Sequence, residues 1–271
     1  IIKSSYSALE NGITKSNLGD LLRVTVLLES IEGSYVWLTN EPGLAILKNF
    51  MEPENIIITE EFEEFFPKID KEAIIYNLDN HDLHLEQLRC FSGKVLGYFP
   101  DSSGIMKAEN SKIASLQPYS FVTEKDSFQS ALIQGTGGKW QEQDYSRFTG
   151  EQKIKYDIGL NNHVHHDWTS KCWPGENWQN LAKKLADKYS ISWQQGLNNI
   201  DEYIEWVASC RVIITQDTLG LHLASALRKK IIAIIGPTEN REFSYNRVTI
   251  IKPEPRDCMP CHAPVCIKNN G

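Results

Sequence analysis

The sequence predicts an α/β fold with two doubly wound domains. Short β-branched runs alternate along the chain with segments of helical periodicity, which is typical of parallel strands joined by crossover helices. The 271 residues suffice for two domains of ordinary size. The alternation is interrupted by Gly135 to Lys139 and by the polar stretch Gln141 to Lys155, which we interpret as the linker. We therefore expect one domain in residues 1–145 and a second in residues 146–271.

The first domain is predicted to begin with a strand, a polar stretch and a helix. Its short strands are expected at Ile1 to Lys3, Tyr35 to Leu38, Asn55 to Thr59 and Ala73 to Tyr76. The helix is expected over Leu18 to Leu28, with Asp20 at or near its N-terminus, where the helix dipole favours a carboxylate. Asp20 is well placed there to protrude into a cleft, and a helix-capping role is the alternative.

Two consecutive strands of the second domain are predicted to end in polar turns. The strands of this domain are expected at Tyr156 to Leu160, Arg211 to Thr215 and Ile231 to Ile235. A helix follows the second of them almost at once, because Asp217 or Thr218 can cap it. Apolar residues from Leu221 to Leu227 then recur at helical spacing.

The start of this helix is the predicted anion site. The backbone N–H groups of Thr218, Leu219 and Gly220 and the positive end of the helix dipole lie at the carboxyl edge of the sheet, where phosphates bind in open α/β folds. We expect Gly220 to let a ligand approach the backbone, and His222 shares a helix face with Thr218. The alternative is an ordinary strand-to-helix turn with Asp217 as a cap.

A candidate cation lies in the loop between the strand Tyr156 to Leu160 and a helix expected from about Glu176 to Tyr189. Lys171 could neutralise a phosphate brought to the turn Asp217 to Gly220, and a solvent-exposed lysine is the alternative. The same loop carries His163, His165 and His166. They are poor zinc candidates, since two are adjacent and no acidic or thiol partner is spaced to close a site.

Composition excludes several classes of function. A formal net charge of -7, without a Lys/Arg-rich tract, argues against a nucleic-acid-binding surface. No run approaches the roughly 18 apolar residues of a membrane span, and the first residues lack a secretory signal pattern. The sequence therefore indicates a cytoplasmic globular protein.

Three of the six cysteines form a cluster near the end of the chain. Cys258, Cys261 and Cys266 contain a C-x-x-C core that suits zinc or iron, with His262 as a candidate fourth ligand. A reduced structural cluster is the favoured interpretation, and a disulfide is disfavoured in a reducing cytosol. We expect neither a metal nor another cofactor.

Three segments carry a resemblance to a known family. They are Leu18 to Thr25, Lys171 to Glu176, and Ala208 to Thr238, which contains Gln216-Asp217-Thr218-Leu219-Gly220-Leu221-His222. With these residues the chain resembles glycosyltransferase family 9, the heptosyltransferases of bacterial lipopolysaccharide cores. The last segment is the most specific, and the resemblance spans nearly the whole chain in the right order.

The resemblance implies a GT-B fold, in which two Rossmann-like domains face each other across a cleft. The first domain would bind the acceptor, a hydroxyl of a cell-surface glycan or lipid-linked molecule. The second would bind a nucleotide-diphosphate sugar, with ADP-heptose as the expected donor. Transfer would be metal-independent and would invert the sugar carbon. The implied location is the cytoplasm or the cytoplasmic face of the inner membrane.

The resemblance also implies roles for individual residues. In the family, the aspartate that matches Asp20 takes the proton of the acceptor hydroxyl. The predicted helix N-terminus, together with Lys171, would stabilise the leaving diphosphate. His222 could add a hydrogen bond to phosphate or sugar. Asp217 would order the turn or bind a sugar hydroxyl, because its charge would repel phosphate.

Other functions remain open at this point. The long segment Ser4 to Asn17 before Asp20 favours a nucleotide-sugar-binding protein without transfer activity. A sugar-nucleotide epimerase of the same fold would release a free sugar without an acceptor. A metal-binding scaffold built on the cysteine cluster is the remotest alternative.

Overall fold

The computed structural model divides the chain into two compact units, Ile1–Ser146 and Arg147–Gly271. The residues it describes are 1–3, 7–10, 13–16, 18–78, 84–100, 106–108, 127–135, 137–140, 148–239, 247–254, 256–261 and 263–266. None of the helices in these ranges combines the length and apolar composition that crossing a bilayer requires.

The first unit is built on a six-stranded sheet. Its strands are β1 (Ile2–Lys3), β4 (Trp37–Thr39), β5 (Ile56–Ile58), β6 (Ile74–Asn77), β7 (Lys94–Pro100) and β8 (Met106–Ala108), in the spatial order β5-β4-β1-β6-β7-β8. All neighbours are parallel except β7 and β8. The helices are α1 (Leu18–Val24), α2 (Glu41–Leu47), α3 (Phe62–Phe65), α4 (Leu85–Cys90) and α5 (Phe128–Gly135). The buried side chains of Ile2, Trp37 and Ile75 place the core around the central strands.

The connection between β1 and α1 differs from the polar stretch that the sequence suggested. Residues of this segment form an antiparallel hairpin of β2 (Ser7–Glu10) and β3 (Ile13–Ser16), in which Ser7 pairs with Ser16. The sequence did not predict these strands because the segment lacks the alternation of apolar and polar residues that indicates a strand. The chain therefore enters α1 from a small separate sheet.

Helix α1 is shorter than predicted. It ends at Val24, and a 3₁₀ helix continues over Thr25–Glu29. The buried Thr25 hydroxyl donates to the Leu22 carbonyl at 2.7 Å, three residues back, and so competes with regular helical bonding. A run of β-branched residues at this point also disfavours a longer α-helix.

The second unit is a fully parallel five-stranded sheet. Its strands are β9 (Tyr156–Asn161), β10 (Ile191–Trp193), β11 (Cys210–Gln216), β12 (Lys230–Ile234) and β13 (Val248–Ile251), in the order β10-β9-β11-β12-β13. The helices are α6 (Gly175–Ala186), α7 (Ile200–Ser209) and α8 (Leu219–Ala226). β9 is first in the chain, β10 lies on one side of it and β11 on the other. The chain direction across the sheet therefore reverses between β9 and β11, which is where open α/β sheets bind ligands.

Candidate functional site

The carboxyl ends of β9 and β11 meet through a buried asparagine. Asn161 is the last residue of β9 and pairs in register with Thr215. Its amide nitrogen donates to the Thr215 hydroxyl at 2.7 Å and to the Thr218 hydroxyl at 2.9 Å. Its carbonyl accepts from the Tyr203 hydroxyl at 2.5 Å. The strand ends at the reversal point are thus connected to the start of helix α8 and to α7.

Helix α8 begins at this connection. Thr218 is its N-cap, and the Thr218 hydroxyl accepts from the Gly220 N–H at 3.3 Å. Thr218 and Leu219 are half-buried, whereas Gly220 is buried. The Gly220 N–H is thus used by the cap, and the N–H groups of Thr218 and Leu219 with the dipole end are the part of this turn that can hold an anion.

Gly220 is required by internal packing. A Cβ atom at this position would lie 2.4 Å from both the Asn161 amide nitrogen and the Tyr203 hydroxyl. In the direction of a Cβ, protein side chains occupy the space, so packing requires a glycine here whether or not a ligand binds. The approach of a ligand to the backbone of this turn stays a prediction.

The carboxylate of Asp217 lies at the centre of a buried polar cluster. Its Oδ2 atom is 2.6 Å from Lys171 Nζ and accepts from the Thr238 hydroxyl, also at 2.6 Å. Burial alone would raise the pKa of Asp217, but the charge and hydrogen bond of Lys171, the Thr238 hydroxyl and the nearby His222 together lower it. Asp217 therefore connects the turn after β11 to the turn after β12.

Lys171 is held in place from two sides. Its side chain is only 18% exposed, so it is not the freely solvated lysine of the alternative interpretation. The ammonium pairs with Asp217 and lies 4.3 Å from the centroid of the Trp168 ring. The same loop is fixed to β11 by Gln216, whose side-chain oxygen accepts from the Trp173 N–H. An ammonium has three N–H donors, so its pairing with Asp217 leaves donor capacity for a phosphate oxygen.

His222 lies one turn into helix α8 and is 6% exposed. Its charge contributes to lowering the pKa of Asp217, which places it near the same cluster. The structure thus brings together the predicted residues Lys171, Asp217, Thr218 and His222. Their donor-binding role stays a prediction.

The cysteine segment (residues 256–266) packs against the same edge of the sheet. The Cys261 N–H donates to the Pro237 carbonyl at 3.1 Å, and Ser170 donates to the carbonyls of Ala263 and Pro264. Cys258 is half-buried, and Cys266 is exposed like Cys261. His262 lies outside the described residues.

A different group of side chains has the spacing of metal ligands. Across the described part of the chain, His165, His166 and Asp167 are the only three His, Cys, Asp or Glu side chains with ligand atoms within 4.8 Å of one another. Asp167 is thus the acidic partner that the sequence interpretation missed. All three are exposed, His163 is not part of the group, and the cysteine sulfurs are not gathered in this way.

In the first unit, Asp20 lies in the first turn of α1 and is paired. Its Oδ1 atom is 2.7 Å from Arg23 Nη2, and the side chains are 23% and 10% exposed, respectively. The Arg23 guanidinium lies 3.6 Å from the centroid of the Phe128 ring on α5. The carboxylate is therefore oriented by an arginine that is itself fixed by packing.

Three residues of the second-unit site were missed by sequence reasoning. Asn161 could have been found, since it is a polar residue at the end of a predicted strand beside the reversal point. Thr238 was placed in a predicted polar turn, but no function was assigned to it. Tyr203 gave no signal, because an aromatic residue at an apolar helical position is typical of a core.

The C-terminal part of the chain matches a family model. Residues 196–270 match "Glycosyltransferase family 9 (heptosyltransferase)". The resemblance to glycosyltransferase family 9 is thereby confirmed. The matched residues include α7, β11, α8 and the cysteine segment, so the family 9 match covers Tyr203, Asp217 and Thr218. No curated protein matches the chain.

Solved structures of heptosyltransferases have the same fold. Escherichia coli WaaC with ADP aligns with 13% identity and a TM-score of 0.62, covering 93% of this chain and 92% of that one. A family 9 glycosyltransferase from Veillonella parvula aligns with 12% identity and a TM-score of 0.63, covering 93% and 85%. The iron-containing dodecameric glycosyltransferase TibC of E. coli aligns with 13% identity and a TM-score of 0.55, covering 96% and 64%. The predicted GT-B fold class is confirmed.

Proposed function

We propose that the chain is an inverting glycosyltransferase that moves a heptose from ADP-heptose to a hydroxyl of a cell-surface glycan or lipid-linked acceptor. The observation that carries the proposal is the grouping of Lys171, Asp217 and Thr218 at the N-terminus of helix α8, at the reversal point of the sheet. The choice of donor is supported by the similar structures of WaaC, one with ADP and one with ADP-2-deoxy-2-fluoro heptose.

The second unit would bind the donor diphosphate. Displacement of the sugar leaves negative charge on this diphosphate. N–H groups of the first turn of α8 and the Lys171 ammonium are fixed in advance and can stabilise that charge as it develops. Asp217 accepts from Lys171 and Thr238, and so holds the ammonium beside the turn rather than contacting phosphate itself. His222 would contribute a further hydrogen bond to phosphate or sugar.

The first unit would supply the base. In an inverting single displacement, a carboxylate removes the proton of the acceptor hydroxyl as the oxygen attacks the sugar carbon. We assign this role to Asp20, whose carboxylate is oriented by Arg23 and partly exposed. The departing nucleoside diphosphate takes the electrons of the broken bond.

No metal is assigned a step. The similar TibC structure is described as iron-containing. Within the described residues, however, Cys258, Cys261 and Cys266 do not bring three sulfur ligands together. We assign the stabilisation of the leaving diphosphate to the first turn of α8 and to Lys171.

The test is the release of ADP from ADP-heptose in the presence and absence of acceptor. We expect acceptor-dependent release, with a loss of about 10²- to 10⁴-fold in kcat for Asp20→Asn and little change in ADP affinity. Glu29→Gln, which changes an exposed carboxylate after the same helix, should keep the wild-type rate. ADP binding without acceptor-dependent release would favour a nucleotide-sugar-binding protein, and release of free sugar without acceptor would favour an epimerase.

A further inference from the structure

A closed set of buried hydrogen bonds lies behind the N-terminus of helix α8. The Asn161 amide donates both of its hydrogens, one to Thr215 and one to Thr218, and its carbonyl accepts from Tyr203. Asn161 and Thr215 are fully buried, and Tyr203 is 6% exposed. Such a network is stable only when every member is satisfied, which fixes the positions of its members.

The network determines what the Thr218 side chain can do. The Thr218 oxygen accepts from Asn161 and from the Gly220 N–H, which uses both lone pairs. Burial raises the pKa of Tyr203, so that the phenol stays protonated and keeps donating to Asn161. Both lone pairs of the Thr218 oxygen are therefore directed into the protein.

We infer that Asn161 and Tyr203 are positioning residues for diphosphate binding. They hold the Thr218 oxygen inward, where it also caps the Gly220 N–H, so that the turn presents the N–H groups of Thr218 and Leu219 to the anion. Their atoms lie against Gly220, 2.4 Å from where a Cβ would be, which also sets the orientation of this turn. The inference rests on the proposed function, since it concerns the same diphosphate site.

Tyr203→Phe tests the inference, because it removes one hydroxyl and keeps the ring. We expect ADP and inorganic diphosphate to bind about five- to tenfold more weakly, as for the loss of one buried hydrogen bond. Ser209→Ala is the matched control. It removes a buried hydroxyl of the same helix, which donates to the Trp206 carbonyl at 2.7 Å outside the network. Calorimetric titration well below the melting temperature should show unchanged affinities for this control, even where both variants melt earlier.

Asn161→Asp should make the affinity for ADP depend on pH, which a residue with a purely structural role would not do. Its carboxylate can accept from Tyr203, but it cannot donate to the two threonines and it adds a negative charge near the anion. Protonation restores one donor and removes the charge. The affinity deficit relative to wild type should therefore shrink as the pH falls from about 8 to about 5.

The outcomes separate the two claims. If the wild type binds neither ADP nor inorganic diphosphate, the proposed function is wrong and the inference falls with it. If the wild type binds ADP and Tyr203→Phe binds it equally well, the inference alone is overturned. Should Asn161→Asp fail to fold, Tyr203→Phe and Ser209→Ala decide the question.

Discussion

Replacing Lys171 by Met removes a cation from a buried ion pair and from the proposed diphosphate site at once. In the wild type, Nζ lies 2.6 Å from Asp217 Oδ2, and the Asp217 side chain is only 7% exposed. The variant leaves this carboxylate buried without a counter-charge. Stability and ADP affinity should therefore both fall, for different physical reasons.

The expected loss of stability follows from this geometry. Removing one partner of a buried ion pair typically costs about 3–5 kcal/mol. Thr238 still donates to Asp217, and the Lys171 side chain is 18% exposed, so we expect the lower end, about 3 kcal/mol. That loss corresponds to a fall in Tm of roughly 6–12 °C. Lys183→Met, at an exposed lysine on α6, should change stability by no more than about 0.5 kcal/mol.

A second substitution separates the two effects. Asp217→Asn in the Lys171→Met background removes the unpaired charge, and should restore about 2 kcal/mol of the free energy of unfolding. ADP affinity should stay low, because the ammonium is still missing. Denaturant unfolding and calorimetric ADP titration of the single and double variants measure both quantities.

The free energy of unfolding should depend on pH differently in the wild type and in Lys171→Met. In the wild type, the pKa of Asp217 is lowered, so its stabilising contribution is present above the unfolded value of 3.8 and is lost as the pH falls through the folded value. In Lys171→Met the buried carboxyl should have a raised pKa, so the destabilisation should shrink as the pH falls from about 7 to about 5. A Lys171→Met variant with wild-type Tm and wild-type ADP affinity would show that Lys171 neither stabilises Asp217 nor binds the diphosphate.

Two further predictions concern packing and a buried lysine. Gly220→Ala should cost about 1–3 kcal/mol by overpacking against Asn161 and Tyr203. Gly175→Ala, where a Cβ meets nothing within 4 Å, should not destabilise, and equal thermal melts for the two variants would contradict the packing argument. Burial lowers the pKa of Lys229 from 10.5 to about 8. Above pH 8, the folded chain therefore binds fewer protons than the unfolded chain. The free energy of unfolding should consequently rise from pH 8 toward 9. Denaturant titrations should show that Lys229→Met lacks this rise; a variant that keeps it would assign the effect to other groups.

The sheet of the second unit was predictable because its strands are short apolar runs bounded by polar turns. Arg211 to Thr215 and Ile231 to Ile235 were placed within one residue at each end of β11 and β12. The hairpin β2–β3 was not predictable in the same way. Its residues do not alternate between apolar and polar, and hydrogen bonding between two backbones does not require particular side chains.

The candidate site was predictable in part for a similar reason. Asp217 and Thr218 follow a strand and open a helix, which is a local signal. The contacts of Asp217 with Lys171 and Thr238 join three separate loops, and residues that pair over such sequence separations share no local pattern. The packing of Asn161 and Tyr203 against Gly220 depends on how α7 lies on the sheet, so the residues around Gly220 in the sequence could not predict it.

The position of the diphosphate can be measured in a crystal structure of the chain with ADP. We expect the diphosphate to lie against the N–H groups at the start of α8, with a phosphate oxygen within hydrogen-bond distance of Lys171. ADP bound elsewhere, with the start of α8 contacting only protein, would contradict this expectation.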